Sequence, residues 1–88
     1  MTTQIVKIQN KIGLHARPAS MLVNAAGKFG SKITLRNGER TATAKSMINL
    51  LTLRAKLNDM ITIEADGSDE KEAVNALVEL INSKFGEE

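Results

Sequence analysis

One histidine, one arginine and one serine hold most of the chemistry that this 88-residue sequence offers. His15 is the sole histidine, and imidazole is the side chain that most readily works as a nucleophile or proton carrier near neutral pH. It stands in the stretch Gly13-Leu14-His15-Ala16-Arg17-Pro18-Ala19. Pro18 disfavours helical geometry at Arg17, so a helix is expected to begin close to that point. His15 then lies just before the helix, beside N–H groups that have no partner within it. That end carries partial positive charge and suits an anion. A phosphoryl group attached to the ring would meet the backbone N–H groups of Ala16 and Arg17 and the guanidinium of Arg17, whereas Pro18 has no N–H to give. Ser46 is the second candidate. It reads as the N-cap of a short helix, a role that needs no further function.

Several chemistries are missing. The sequence has no GxxxxGK[ST] loop and no paired acidic motif near His15 to hold magnesium. Cysteine is absent, which removes disulfides, thiol catalysis and cysteine-bound zinc. A phosphoryl group on His15 must then arrive from one protein and leave to another. Taken by themselves, the residue types support a small α+β domain with an anion site and no more.

The elements that must position these residues follow from the apolar pattern. Val6 and Ile8 alternate with Lys7 and Gln9 as in a strand, and Gly13 interrupts the alternation. From Pro18 onward Ala19, Leu22, Val23 and Ala26 follow helical spacing, with Gly27 or Gly30 to end it. Ile33 and Leu35 mark a second strand, Asn37-Gly38 a tight hairpin turn, and Arg40 to Ala44 the return strand. Met47, Leu50 and Leu51 form the apolar side of the helix capped by Ser46. Ile61, Ile63 and Ala65 give a fourth strand, ended by Gly67. Asp69 with Glu72 resembles a capping box, and Ala73, Val74, Leu77, Leu80, Ile81 and Phe85 form the stripe of a last helix. Four strands with one apolar face need one cover layer, which three amphipathic helices supply. The expected architecture is one α+β domain over residues 1–88, a two-layer sandwich whose other sheet face meets water. Strand order does not follow from the pattern, and a ferredoxin-like arrangement fits as well.

Composition narrows the partners. With no Trp or Tyr and two Phe, the core must be aliphatic. The net charge is +2, the basic residues are scattered, and no aromatics stand ready to stack on bases, which argues against nucleic acid. No apolar run is long enough to span a bilayer, and the start of the chain lacks a signal-peptide pattern, so a cytoplasmic protein without membrane contact is expected. Carboxylates gather from Glu64 onward, leaving the earlier part more basic and suited to an acidic partner or a phosphate.

The stretch Asn10-Lys11-Ile12-Gly13-Leu14-His15-Ala16-Arg17-Pro18-Ala19 resembles the active-site signature of HPr, the histidine-containing phosphocarrier family of the bacterial phosphoenolpyruvate-dependent phosphotransferase system. Lys45-Ser46-Met47-Ile48 resembles the family's regulatory serine region, and the tail from Ile61 through Gly67 into the last helix fits as well. The resemblance covers nearly the whole chain. It implies an open-faced β-sandwich, a four-stranded antiparallel sheet with three helices on one side. It implies that His15 takes phosphate from enzyme I on its δ1 nitrogen, that Arg17 helps neutralise the group, and that an EIIA domain receives it. It implies no cofactor or metal, a monomeric carrier rather than an enzyme, and, in some lineages, phosphorylation of Ser46 by HPr kinase/phosphorylase. Docking surfaces in the family are apolar patches ringed by basic residues; Ser20, Met21, Met47, Ile48, Leu51 and Thr52 are the residues expected there. The rival reading is a regulatory binding module whose docking is set by Ser46. Arg54 and Asn58 stand where many members have Gly. The run Ser46 to Leu53 and the ending Leu80 to Gly86 are also similar to the nitrogen-related branch, NPr.

Overall fold

The computed structural model describes residues 1–86; positions 87 and 88, where the expected domain closes, lie outside the described residues. Alternating side chains build the sheet. Strands β1 (Thr2–Lys7), β2 (Lys32–Asn37), β3 (Arg40–Thr43) and β4 (Met60–Asp66) pair in the order β1-β4-β2-β3, each neighbour antiparallel. The last strand inserts between the first two, with Val6 opposite Ile61 and Leu35 opposite Ile63. This rules out the ferredoxin-like alternative, in which the first strand lies inside the sheet; here β1 and β3 are the edges.

Helices α1 (Ala16–Ala26), α2 (Met47–Thr52) and α3 (Glu70–Asn82) cover one face. Inward residues of the strands, such as Ile33, Leu35, Ile61 and Ile63, join Leu22 of α1, Leu50 of α2 and Leu77 of α3 in one buried cluster. Ile5, on the other face, is 58 % exposed. The α+β open-faced sandwich expected from the pattern is the observed architecture. Among the described residues no helix is long and apolar enough to cross a membrane.

The differences lie at element ends. α1 begins at Ala16, so Arg17 is helical although a proline follows. Pro18 is tolerated because the carbonyl its ring would strike belongs to Leu14, outside the helix. Gly27 caps α1 at φ −64, so its freedom at positive φ is not what ends the helix. In the hairpin Asn37 pairs with Arg40, and the loop is Gly38-Glu39. Gly38, at φ 64, takes the first central position, where a type II′ turn favours glycine. In α2, Leu50 is buried and Leu51 is 39 % exposed, while buried Leu53 just after the helix takes the inward place given to Leu51. Three-residue spacing keeps Leu50 and Leu53 on one side, whereas Leu51 is rotated away. Phe85 is buried but not on a helix stripe: α3 stops at Asn82, and the chain folds back through positive φ at Lys84 and Phe85.

Asp69 is the N-cap of α3 without a side-chain cap bond. Its carboxylate instead accepts from the Ser31 hydroxyl and from the amides of Gly30 (2.9 Å) and Ser31 (3.0 Å). The Ser31 hydroxyl first, and the Gly30 amide next, hold its carboxyl below the usual range. Gly67 permits the approach, since a Cβ there would lie 2.5 Å from Ser31 Oγ. Glu70 does the reaching back expected of Glu72: its Oε1 accepts the Gly67 N–H at 3.2 Å and its Oε2 the Thr2 hydroxyl at 2.6 Å. Those bonds, Thr2 foremost, lower its pKa to about 2.

Candidate functional site

A braced turn delivers His15 to the surface. Just past β1, buried Ile8 donates its N–H to Asp59 O at 2.9 Å and accepts the Asn58 N–H at 2.8 Å. Buried Asn10 then closes the turn, donating from Nδ2 to Gly13 O at 2.7 Å, while Gly13 N–H returns to Asn10 O at 3.2 Å. Gly13 sits at φ +82, and a Cβ there would lie 2.5 Å from Ala55 O and 2.9 Å from Lys56 Cα. No side chain fits that approach. Leu14 N–H donates to Ala55 O at 3.0 Å, and the leucine side chain enters the core.

His15 follows as the N-cap of α1, with extended backbone at φ −98 and ψ −166. Its carbonyl accepts the Ala19 N–H at 3.0 Å, which sets the first helical turn. Its side chain makes no capping bond, and the first turn holds no acidic residue. The amides of Ala16 and Arg17 have no carbonyl inside the helix to meet, and Pro18 has no N–H. Leu14 on one side and Pro18 with Ala19 on the other are buried, so half-buried His15 is held between two anchors. Arg17 is exposed in the first turn, and among the described residues no carboxylate pairs with it. The arrangement sets one imidazole directly before first-turn amides without helical partners, with an exposed arginine in the same turn, a setting that suits an anion.

Ser46 is the N-cap of α2; its Oγ accepts the Asn49 N–H at 3.3 Å. α2 packs against α1 and β3. Of the residues expected at a docking face, Ser20, Met21 and Met47 are half-buried, and Ile48, Leu51 and Thr52 are exposed, Ile48 at 75 %. Ile12, 70 % exposed three residues before His15, was not anticipated, nor were the bracing roles of Asn10 and Ala55. A partial signal for Asn10 is present, since Asn favours turns through side-chain bonds to nearby backbone. Ala55 had none, because its role is played by its backbone oxygen.

Sequence comparison gives a match to the family described as PTS HPr component phosphorylation site, over residues 2–83. The chain belongs to the HPr family. Among HPr-family relatives, phosphocarrier protein HPr of Cupriavidus necator is 42 % identical over 80 residues, 91 % of this chain and 90 % of the relative. Phosphocarrier protein NPr of Proteus mirabilis is 45 % identical over 84 residues, 94 % and 93 % of the two chains. The crystal structure of HPr-C-His from Thermoanaerobacter tengcongensis superposes with a TM-score of 0.95 at 43 % identity, covering 100 % of this chain and 99 % of that one. HPr membership makes the chain a phosphocarrier of the phosphotransferase system, and it favours that role over a regulatory module set by Ser46.

Proposed function

We propose that His15 is the residue that takes up the phosphoryl group, that Nδ1 is the bonding atom, and that Arg17 with the Ala16 and Arg17 amides stabilises the product. The Nδ1 lone pair attacks phosphorus on the phosphorylated donor, and the bond from phosphorus to the donor breaks as the new N–P bond forms. In the return step an acceptor nucleophile attacks the same phosphorus and the imidazole leaves. The donor is enzyme I and the acceptor an EIIA domain. The chain acts as a stoichiometric carrier in the cytosol, monomeric and without a nucleotide site of its own. The observation that supports this most is the position of His15 as an N-cap whose side chain leaves the first-turn amides uncapped.

Partner docking on the α1–α2 side, through Ile48, Leu51 and Thr52 with Ser20, Met21 and Met47 beneath, belongs to the same proposal. Ser46 serves first as a cap; a phosphate from HPr kinase/phosphorylase would sit at a helix N-terminus and add negative charge to that side, weakening docking. The test is incubation with phosphoenolpyruvate and enzyme I, followed by acid or base. A phosphohistidine label is lost in acid and kept in base. His15→Ala should abolish the acid-labile label and leave the fold intact, and a label that persists in that variant overturns the assignment. Ser46→Ala should change an ATP-dependent label only.

A further inference from the structure

Beside the loop that braces Gly13, a second basic feature takes shape. A cavity of about 490 Å³ opens between the β2–β3 hairpin and residues 53–59. It is lined by Asn37, Arg40, Arg54, Lys56 and Asp59 over Leu53 and Ala55. Its volume lies within the roughly 300–1,000 Å³ of small-molecule sites. Arg40, Arg54 and Lys56 are exposed, and among the described residues none is paired with a carboxylate. The one lining carboxylate is tied into the frame and outnumbered by the three cations: Asp59 Oδ2 accepts from Asn37 Nδ2 at 3.2 Å and from the Lys56 N–H at 2.9 Å. Asn37 Nδ2 also donates to Leu53 O at 3.0 Å. These bonds tie hairpin to loop, so the walls stand in place before any ligand arrives. Glu39, beside Arg40 in the hairpin, is not among the lining residues. The cavity thus carries an excess of positive charge on a braced frame.

A second observation concerns the backbone. Arg54 is held at φ 53, a conformation that glycine adopts without strain and arginine does not. Strain of this kind collects at ligand clamps, where a side chain is needed in spite of it. Here the side chain it places on the wall is a guanidinium.

We propose that this cavity binds a phosphate dianion carried on a small organic ester. The planar forks of Arg40 and Arg54 match phosphate oxygens, and Lys56 adds a compact charge. The volume exceeds what one phosphate ion fills, which leaves room for the organic part. None of His15, Ala16 and Arg17 lines the cavity, so the site stands or falls independently of the acceptor proposal.

The test is a 1H–15N NMR titration of the whole chain with glycerol 3-phosphate, inorganic phosphate, and sodium chloride at matched ionic strength. The expected result is saturable shifts of the amides of residues 37–40 and 53–59 with both phosphates, tighter for the ester. Arg54→Gly should weaken binding about tenfold or more, as should Arg40→Gln, the loss expected for one charge-assisted contact. His15→Ala should bind unchanged. Arg54→Gly relieves backbone strain, so a loss of affinity in that variant is not a loss of fold, and the amide spectrum checks this directly. The proposal is overturned by shifts that follow chloride without saturating, by saturation centred on residues 15–17 and lost in His15→Ala, or by unaltered affinity in Arg54→Gly. Equal affinity for inorganic phosphate overturns the ester assignment, and saturation by tetraglutamate alone reassigns the cavity to protein docking.

Discussion

Replacing Gly13 by Ala places a methyl group against two backbone atoms that cannot rotate aside, Ala55 O at 2.5 Å and Lys56 Cα at 2.9 Å. Three contributions set the size of the effect. Holding an L-residue at φ +82 costs roughly 1–2 kcal/mol. Pushing the turn off Ala55 sacrifices the Leu14 N–H to Ala55 O bond, a net loss of about 1 kcal/mol. The stiffer unfolded chain returns roughly 0.4–1 kcal/mol. The balance is a destabilisation of about 2 kcal/mol, a fall in Tm of roughly 8–16 °C for a domain of this size. Because His15 is two residues on, the same displacement moves the ring relative to its donor, and a shift near 1 Å lowers the rate by up to about 100-fold. Gly38→Ala is the control: φ is 64 there too, but the added methyl meets nothing within 4 Å. It should lower Tm modestly and leave phosphorylation unchanged. Thermal unfolding and rapid-quench phosphorylation by enzyme I, run well below each Tm, read both effects. If Gly13→Ala unfolds within about 0.5 kcal/mol of the parent, or is destabilised yet phosphorylated at full rate, the bracing role of residues 55–56 is refuted.

Arg17→Ala should slow phosphorylation of His15 by about tenfold or more with Tm little changed, since an exposed side chain that supports only the charged product is lost; equal rates would contradict this. Leu77→Ala, at a fully buried position of α3, should cost about 2–5 kcal/mol in urea unfolding, and a smaller loss would show that the core closes around the gap. Arg54→Gly should raise stability by up to about 1 kcal/mol, the relief of left-handed strain less the added freedom of the unfolded chain; a loss would mean the arginine packs favourably. Glu70 has a folded pKa of about 2, below its ordinary value of 4.5, so its stabilisation is present above pH 4.5 and lost as pH falls towards 2. Urea midpoints measured between those limits should fall less steeply in Glu70→Gln than in the parent, and equal slopes would show that the Thr2 and Gly67 contacts do not matter.

Apolar period is enough to locate β1, β2, β4, α1 and α3, because each buries one face and so repeats its apolar residues at its own spacing, whereas β3 follows from the Asn37-Gly38 turn and α2 from its Ser46 cap. These signals did not reveal strand order. That depends on β4 entering between β1 and β2, where it pairs with β1 residues more than fifty positions away, with no local trace. Leu51 reads as inward in the sequence although Leu53 takes that place, because α2 spans fewer than two turns, too short for a period to declare itself. Asp69 was placed at the right end of α3 with the wrong bonds, since its carboxylate turns to Ser31 and Gly30, invisible to any rule within one helix. The His15 turn was legible from Gly13 and Pro18, whose backbone limits act locally. Positive φ at Arg54 and Asn58 was foreshadowed only by the glycines of similar sequences.

The central claim rests on a single imidazole, and the chain has a single histidine, so one spectrum can address it. Protein labelled with 15N in histidine, charged by enzyme I and phosphoenolpyruvate, should show 31P–15N coupling to Nδ1 of His15. The amide protons of Ala16 and Arg17 should move downfield in the same sample as they bond the phosphoryl oxygens. Coupling to Nε2, or a phosphorylated protein with no coupling to the ring at all, would contradict it.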